Sequence, residues 1–238
     1  MKVALASVRF INNDVDYNIS QLEKYMALAS EKKASVICFG ETFLQGFDSL
    51  KWNFKEDKQV AVSTDSITFK RVSDLTSKYR IDLMFGYIEL DQNKLYSSYA
   101  LVSEGVLIFN YKRISKGWKE FSKTDHHYLE GNEVNILNYQ SKKCAIALCG
   151  DLWDYIDKFQ LNQEILFWPV YVNFSVKEWN SKYLSEYCEQ AKLVCKKVLL
   201  INSISENPNS FGGSFYIHNG VIKRRTDFGT EELLILDL

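Results

Sequence analysis

The sequence is poor in the residues that interrupt regular structure. Only two prolines occur in 238 residues, and no Ser/Gly/Pro-rich tract, internal repeat or low-complexity segment divides the chain. A linker-rich or repeat architecture is therefore excluded, and the connections between elements should be ordinary and short. An excess of charge is also missing. Twenty-nine Lys and Arg stand against 30 Asp and Glu, for a net charge of -1, so nothing electrostatic favours nucleic acid or an anionic membrane as partner. No apolar run approaches the roughly 20 residues that span a bilayer. Arg9 interrupts the opening MKVALASVRF before a signal-peptide core develops, and the expectation is a non-exported, cytoplasmic protein. The cysteines at 38, 144, 149, 188 and 195 are odd in number and lack C-x-x-C spacing. That pattern argues for free thiols in a reducing compartment rather than a disulfide framework or a cysteine metal site.

What is present is apolar residue, 46% of the chain, enough for one substantial core, and residues 1–238 read as one domain. The pattern alternates between strand and helix. Residues 3–10 read as a strand, and 16–32 as a helix with Ile19, Leu22, Tyr25, Met26 and Ala29 at helical spacing. Residues 35–39 form a short buried strand, 48–64 a polar loop and 66–79 a second helix. Apolar runs at 81–90, 95–103 and 105–111 follow, then strand pairs at 134–138 and 143–148, an apolar run at 165–174, a helix at 179–195 and a strand at 197–203. The tail reads as strands at 214–217, 221–225 and 233–238, with Asn219-Gly220 as a hairpin turn. Strands interleaved with helices at both ends demand helices layered on sheet faces, an α/β fold.

Three segments carry candidate chemistry. In Cys38-Phe-Gly-Glu41-Thr-Phe-Leu-Gln-Gly46-Phe, a carboxylate follows a buried strand among Phe39, Phe43, Leu44 and Phe47. Desolvation there raises its pKa and suits it to proton transfer, although an idle strand-end carboxylate has the same appearance. In Asn110-Tyr-Lys112-Arg-Ile-Ser-Lys116-Gly-Trp-Lys-Glu120, Lys112 closes an apolar strand, and the basic run after it reads as a solvated loop or an anion-binding patch. In Ala147-Leu-Cys149-Gly150-Asp151-Leu-Trp153, a buried strand turns sharply after a cysteine. Such an elbow exposes the sulfur and aims backbone N–H groups at it, whereas a core cysteine in the same position would be inert.

In order and context, Glu41, Lys112 and Cys149 resemble the Glu-Lys-Cys triad of the nitrilase-like carbon-nitrogen hydrolase superfamily. GETFLQGF is similar to its glutamate segment, NYKRISKGWKE to its lysine segment, ALCGDLWD to its cysteine segment, and the late Gly212-Gly213-Ser214 to its final strand start. The resemblance implies a four-layer αββα sandwich once dimerised, and a homodimer or higher homo-oligomer. It also implies a small-molecule amide-type substrate and no metal or organic cofactor. Glu41 would be the base, Lys112 the cation and Cys149 the nucleophile that carries a thioester, with Glu120, Gly150 and Asp151 in support. Two departures stand out: Gly40 replaces the proline usual before the glutamate, and Ser115 stands near the usual histidine. Arg113 beside Lys112 leaves a choice of one residue, which goes to Lys112 because an arginine does not readily release a proton.

Trp118, Trp153, Phe174 and Trp179 lie near these segments in sequence and could line a pocket, although aromatics are also buried for their area alone. Amide hydrolysis is the reading chosen over N-carbamoyl hydrolysis, nitrile hydrolysis or acyl transfer in the same superfamily. Two rivals remain: a Cys-His hydrolase pairing Cys149 with His126, His127 or His218, and a catalytically silent subunit presenting Lys112, Lys116 and Lys119 to an anion.

Overall fold

The computed structural model describes residues 1–206 and 209–238. Its chain runs β1 (Lys2–Ser7), α1 (Val15–Glu31), β2 (Val36–Cys38), α2 (Phe54–Val60), α3 (Ile67–Tyr79), β3 (Asp82–Asp91), β4 (Lys94–Ser103), β5 (Val106–Lys112), β6 (Leu137–Tyr139) and β7 (Lys142–Ile146). It continues through α4 (Asp151–Asp154), β8 (Ile165–Val170), α5 (Val176–Glu178), α6 (Leu184–Val194), β9 (Lys197–Asn202), β10 (Ile204–Glu206), β11 (Asn209–Phe211), β12 (Ser214–His218), β13 (Val221–Arg225) and β14 (Glu232–Asp237).

Two six-stranded sheets form, in the orders β14-β1-β2-β3-β4-β5 and β13-β12-β9-β8-β7-β6. Each has a parallel centre, β1-β2-β3 in one and β7-β8-β9 in the other. Strand alternation divides the apolar residues between two cores. On β1, Val3 and Leu5 point to the space between the sheets, where they share one cluster with Ile146, Phe167 and Leu199. Ala4 and Ala6 point the other way, into a cluster with Leu22 and Met26 of α1 and Phe69 and Val72 of α3. On the second sheet, α6 contributes Tyr187 and Ala191. The layer order αββα is thus complete within one chain: the α/β layering expected from the sequence is present, and it needs no second chain to supply the four layers expected only on dimerisation.

Local signals account for the helix boundaries. Asp14 caps α1 by accepting from Tyr17 N at 3.0 Å, and Ser66 caps α3 by accepting from Phe69 N at 3.2 Å. Asn219 and Gly220 both adopt positive φ, as the turn between β12 and β13 requires. Several elements differ from the sequence reading. Helix α2 occupies part of the stretch read as loop, and the helix read at 179–195 has a π-helical turn at Trp179–Tyr183 before α6. A register shift between β4 and β5 lies beside Leu101 and Val102. No helix among the described residues is long and apolar enough to cross a membrane, and all five cysteines are free.

Candidate active site

The carboxyl ends of the parallel strands point the same way, so the loops after β2, β7, β8 and β9 gather at one end of the sandwich. Open α/β sheets place ligand sites at that end. Glu41 follows β2, Cys149 follows β7 and Tyr171 follows β8.

Cys149 sits on the elbow. Parallel pairing with the neighbouring chain continues past β7, with Ala147 N donating to Phe167 O at 3.0 Å and Cys149 N to Pro169 O at 2.9 Å. The Trp168 indole N–H fixes the other side of the peptide by donating to Cys149 O at 3.0 Å. Cys149 itself has φ of +39°, and Thr42, just after Glu41, has +50°. Left-handed backbone at a non-glycine residue costs about 1–3 kcal/mol and persists where the surroundings over-determine it. Asp151 does so here. Its buried carboxylate accepts from Leu148 N at 2.8 Å, Ser115 N at 2.8 Å, Ile114 N at 3.1 Å and the Tyr111 hydroxyl at 2.7 Å. One side chain therefore ties the elbow to the end of β5.

The cation beside Glu41 is Arg113. Its Nη1 donates to Glu41 Oε1 at 2.7 Å and its Nε to Ser115 Oγ at 2.7 Å, and the side chains of Glu41 and Arg113 are 0% and 2% exposed. Its third nitrogen, Nη2, lies against the elbow: a Cβ added to Gly150 would meet it at 2.7 Å, so only glycine leaves room for the guanidinium there. Burial pushes the Glu41 pKa up, while the charge and hydrogen bond of Arg113 and a hydrogen bond from the Cys149 thiol oppose the rise. Burial and then the Glu41 charge push the Cys149 thiol up to about 12, with Arg113 opposing. Arg113 is held above its ordinary value because the charges of Glu41, Cys149 and Asp151 outweigh its desolvation. The site therefore sets a thiol whose pKa burial raises beside the buried Glu41–Arg113 pair.

The structure does not bring Lys112 to this place. Its ammonium lies on the opposite face of the first sheet, 2.7 Å from Asp91 Oδ2, 3.9 Å from Glu89 Oε2 and 4.0 Å from the Tyr96 ring centre. Lys112 and Arg113 do point to opposite faces, as strand geometry demands. The register shift in β5 sends Leu107 to the helix side and Phe109 to the space between sheets, so Tyr111 and Arg113 inherit the inward direction. Glu120 is exposed, and among the described residues no hydrogen bond or ion pair joins it to Lys112; its carbonyl oxygen accepts from Lys123 N and Thr124 N in a turn.

The four aromatics separate in the same way. Trp118 is buried in a satellite cluster with Leu50, Ile88, Leu95 and Tyr128. Trp179 is buried against Tyr187, Phe211 and Phe215. Trp153 is half-exposed on α4 beside the elbow and meets Tyr187 edge-on, while Phe174 stacks on Tyr183 at 3.8 Å. His218 lines a separate cavity with Cys195 and Lys197. The charges that act on Cys149 belong to Glu41, Arg113 and Asp151, while His127 is hydrogen-bonded to Asp125 with the His126 ring beside it.

Sequence reasoning passed over Arg113 as the partner of Glu41, and with it Tyr111, Ser115 and Trp168. Tyr111 and Arg113 share the parity of Phe109, but the register shift between β4 and β5 removes alternation as a guide to the face that parity takes.

The carbon-nitrogen hydrolase family model matches residues 2–156. A glutamine-dependent NAD(+) synthetase of Thermotoga maritima is 19% identical over 160 residues, 66% of this chain and 27% of that protein. A probable nitrilase of Schizosaccharomyces pombe is 24% identical over 159 residues, 63% of this chain and 56% of that protein. The matched segment is thus well under two thirds of either relative. Among solved structures, a glutamine-dependent NAD+ synthetase from Acinetobacter baumannii superposes with TM-score 0.82 at 19% identity, over 98% of this chain and 44% of that one. An amidase variant from Nesterenkonia sp. AN1, with acrylamide added at its active site cysteine, superposes with TM-score 0.79 at 14% identity, over 100% of this chain and 93% of that one. These structural likenesses establish the shared fold, and the family match extends over all three site-bearing segments: the chain belongs to the carbon-nitrogen hydrolase family.

Proposed function

We propose that this chain hydrolyses the carbon–nitrogen bond of a small amide through a thioester on Cys149, with Glu41 as base and Arg113, rather than Lys112, as the fixed cation. The observation that carries this reading is the buried pair of Glu41 and Arg113 set against the strained Cys149 elbow.

Glu41 takes the thiol proton as the sulfur attacks the carbonyl carbon, so the high thiol pKa does not prevent reaction near neutrality. The carbonyl oxygen becomes an oxyanion. Gly150 N–H and the guanidinium face of Arg113 stabilise it, each donor worth roughly 3 to 4 kcal/mol in such sites. Glu41 returns the proton to the leaving amine as the carbon–nitrogen bond breaks. It then takes a proton from water as the water oxygen attacks the thioester carbon, and returns that proton to the departing sulfur as the carbon–sulfur bond breaks, which releases the acid and restores the thiol.

The active site cysteine of the amidase from Nesterenkonia sp. AN1 supports the nucleophile assignment by likeness of fold. A narrower form of the reading, in which the amide is that of glutamine, is favoured by the likeness to the glutamine-dependent synthetases. The test measures ammonia released from glutamine, simple primary amides, N-carbamoyl amino acids and nitriles, together with intact mass during turnover. Wild type should release ammonia from amides and carry an acyl adduct, and Cys149→Ala should do neither. Unchanged hydrolysis by Cys149→Ala, or turnover of nitriles alone, would end the proposal.

A further inference from the structure

The loop between β5 and β6 holds two of the chain's three histidines side by side, and the proposed chemistry uses neither. We propose that Asp125, His126 and His127 form a binding site for a divalent transition metal ion of the Zn2+ class. One donor atom from each residue lies within 4.8 Å of the other two. Bonds of about 2.0–2.2 Å from zinc to imidazole and carboxylate put ligand atoms roughly 3.3 Å apart, so closure asks for a movement of at most about 1.5 Å. His126 is exposed and can supply it.

In the other half of the set His127 Nδ1 and Asp125 Oδ1 are hydrogen-bonded at 2.9 Å, a contact that an ion between them would replace with a spacing only a few tenths of an ångström wider, roughly 3.3 Å. His127 is also held in place. Its ring stacks on Phe54 at 3.7 Å and 6°, and Leu95 N takes its carbonyl at 2.7 Å while Leu129 N returns to Leu95 O at 2.9 Å. The His126 ring lies 4.0 Å from that of His127. Two imidazoles with one carboxylate select Zn2+, Ni2+ or Cu2+ over Mg2+ or Ca2+, and three protein ligands leave a position for water. Lys94, whose ammonium donates to the His126 carbonyl at 3.0 Å, weakens the site without blocking the ring nitrogens. The loop returns to the catalytic cation through Gly131 N, which donates to Arg113 O at 2.8 Å, so a bound ion would clamp a segment rooted beside Arg113.

Calorimetric titration of the whole chain with ZnCl2 tests this. The expected result is one ion per chain, a rise in melting temperature, and Co2+ d–d absorption without a thiolate band. His126→Ala, at an exposed position that leaves the fold intact, should weaken binding about tenfold or more. His127→Ala should do the same, and MgCl2 should give no heat. Zn2+ affinity unchanged in His126→Ala, a thiolate band placing the ion on a cysteine, or binding only at millimolar Zn2+ without defined stoichiometry would each overturn the site.

Discussion

Arg113 and Lys112 are neighbours that face opposite ways, so substitutions one residue apart should have opposite consequences. Arg113→Ala removes the guanidinium from Glu41 and should lower kcat/KM on an amide substrate by about 100-fold or more. Lys112→Ala removes an ammonium held by Asp91 and Glu89 on the far face and should leave turnover close to wild type. Loss of activity only in Lys112→Ala would restore the assignment read from the sequence. Stability separates the two variants as well. Glu41 left without its partner in the interior costs about 3–5 kcal/mol, measurable by urea unfolding, whereas a partly exposed pair contributes about 1 kcal/mol or less. The proposed nucleophile offers a second measurement at this scale. With its pKa pushed up to about 12 by burial, Cys149 in the free enzyme should react with iodoacetamide more slowly than an ordinary thiol at neutral pH, because the thiolate is the reacting form. Fast labelling at pH 7 would contradict a neutral resting thiol.

At the scale of elements, the site depends on how closely β3 approaches the Glu41 turn. A Cβ at Gly86 would lie 2.3 Å from Thr42 N and 2.7 Å from Gly40 O, both backbone atoms that cannot swing aside. Gly86→Ala should therefore destabilise the protein by about 3 kcal/mol and shift Glu41 as well, so melting temperature and turnover should fall together. This contact also shows what the sequence could and could not reveal. Glu41 and Cys149 were legible because each closes a short apolar strand, and the carboxyl ends of parallel strands converge. Arg113 was hidden by the register shift in β5: sequence alternation cannot show that Leu107 and Phe109 belong to different faces. Helix α2 was hidden because its sequence, FKEDKQV, has no apolar stripe. Its buried residue is Asp57, which accepts from the Tyr128 hydroxyl at 2.6 Å and from Lys51 N at 2.8 Å. Trp118 and Trp179 lie near the site segments in sequence but fill separate parts of the interior, since their area is buried wherever the packing has room.

For the whole molecule, the two sheets share one core between their inner faces, and that core contains ionisable groups kept neutral by burial. Cys144 and Cys149 are both pushed up to about 12, and Cys38, Tyr99 and Tyr111 are raised well above their ordinary values. In the unfolded chain the thiols titrate near 9. Their contribution to stability is therefore complete below about pH 9. Between about 9 and 12 the unfolded state gives up protons that the folded state retains, so unfolding becomes easier as pH rises. Each thiol removes about 1.4 kcal/mol per pH unit in that window. Urea midpoints should fall steadily from pH 9 upward, and Cys144→Ala, which deletes one of the titrating groups, should show a shallower fall from a lower starting stability. Because Trp168 packs under α6 against Tyr187 and Trp118 in the satellite cluster, indole fluorescence reports local packing where far-ultraviolet dichroism reports the backbone of the whole sandwich. They should trace the same alkaline transition if the sandwich unfolds as one unit. A midpoint constant up to pH 11, or an equal slope in Cys144→Ala, would show that burial of the thiols does not govern stability above pH 9.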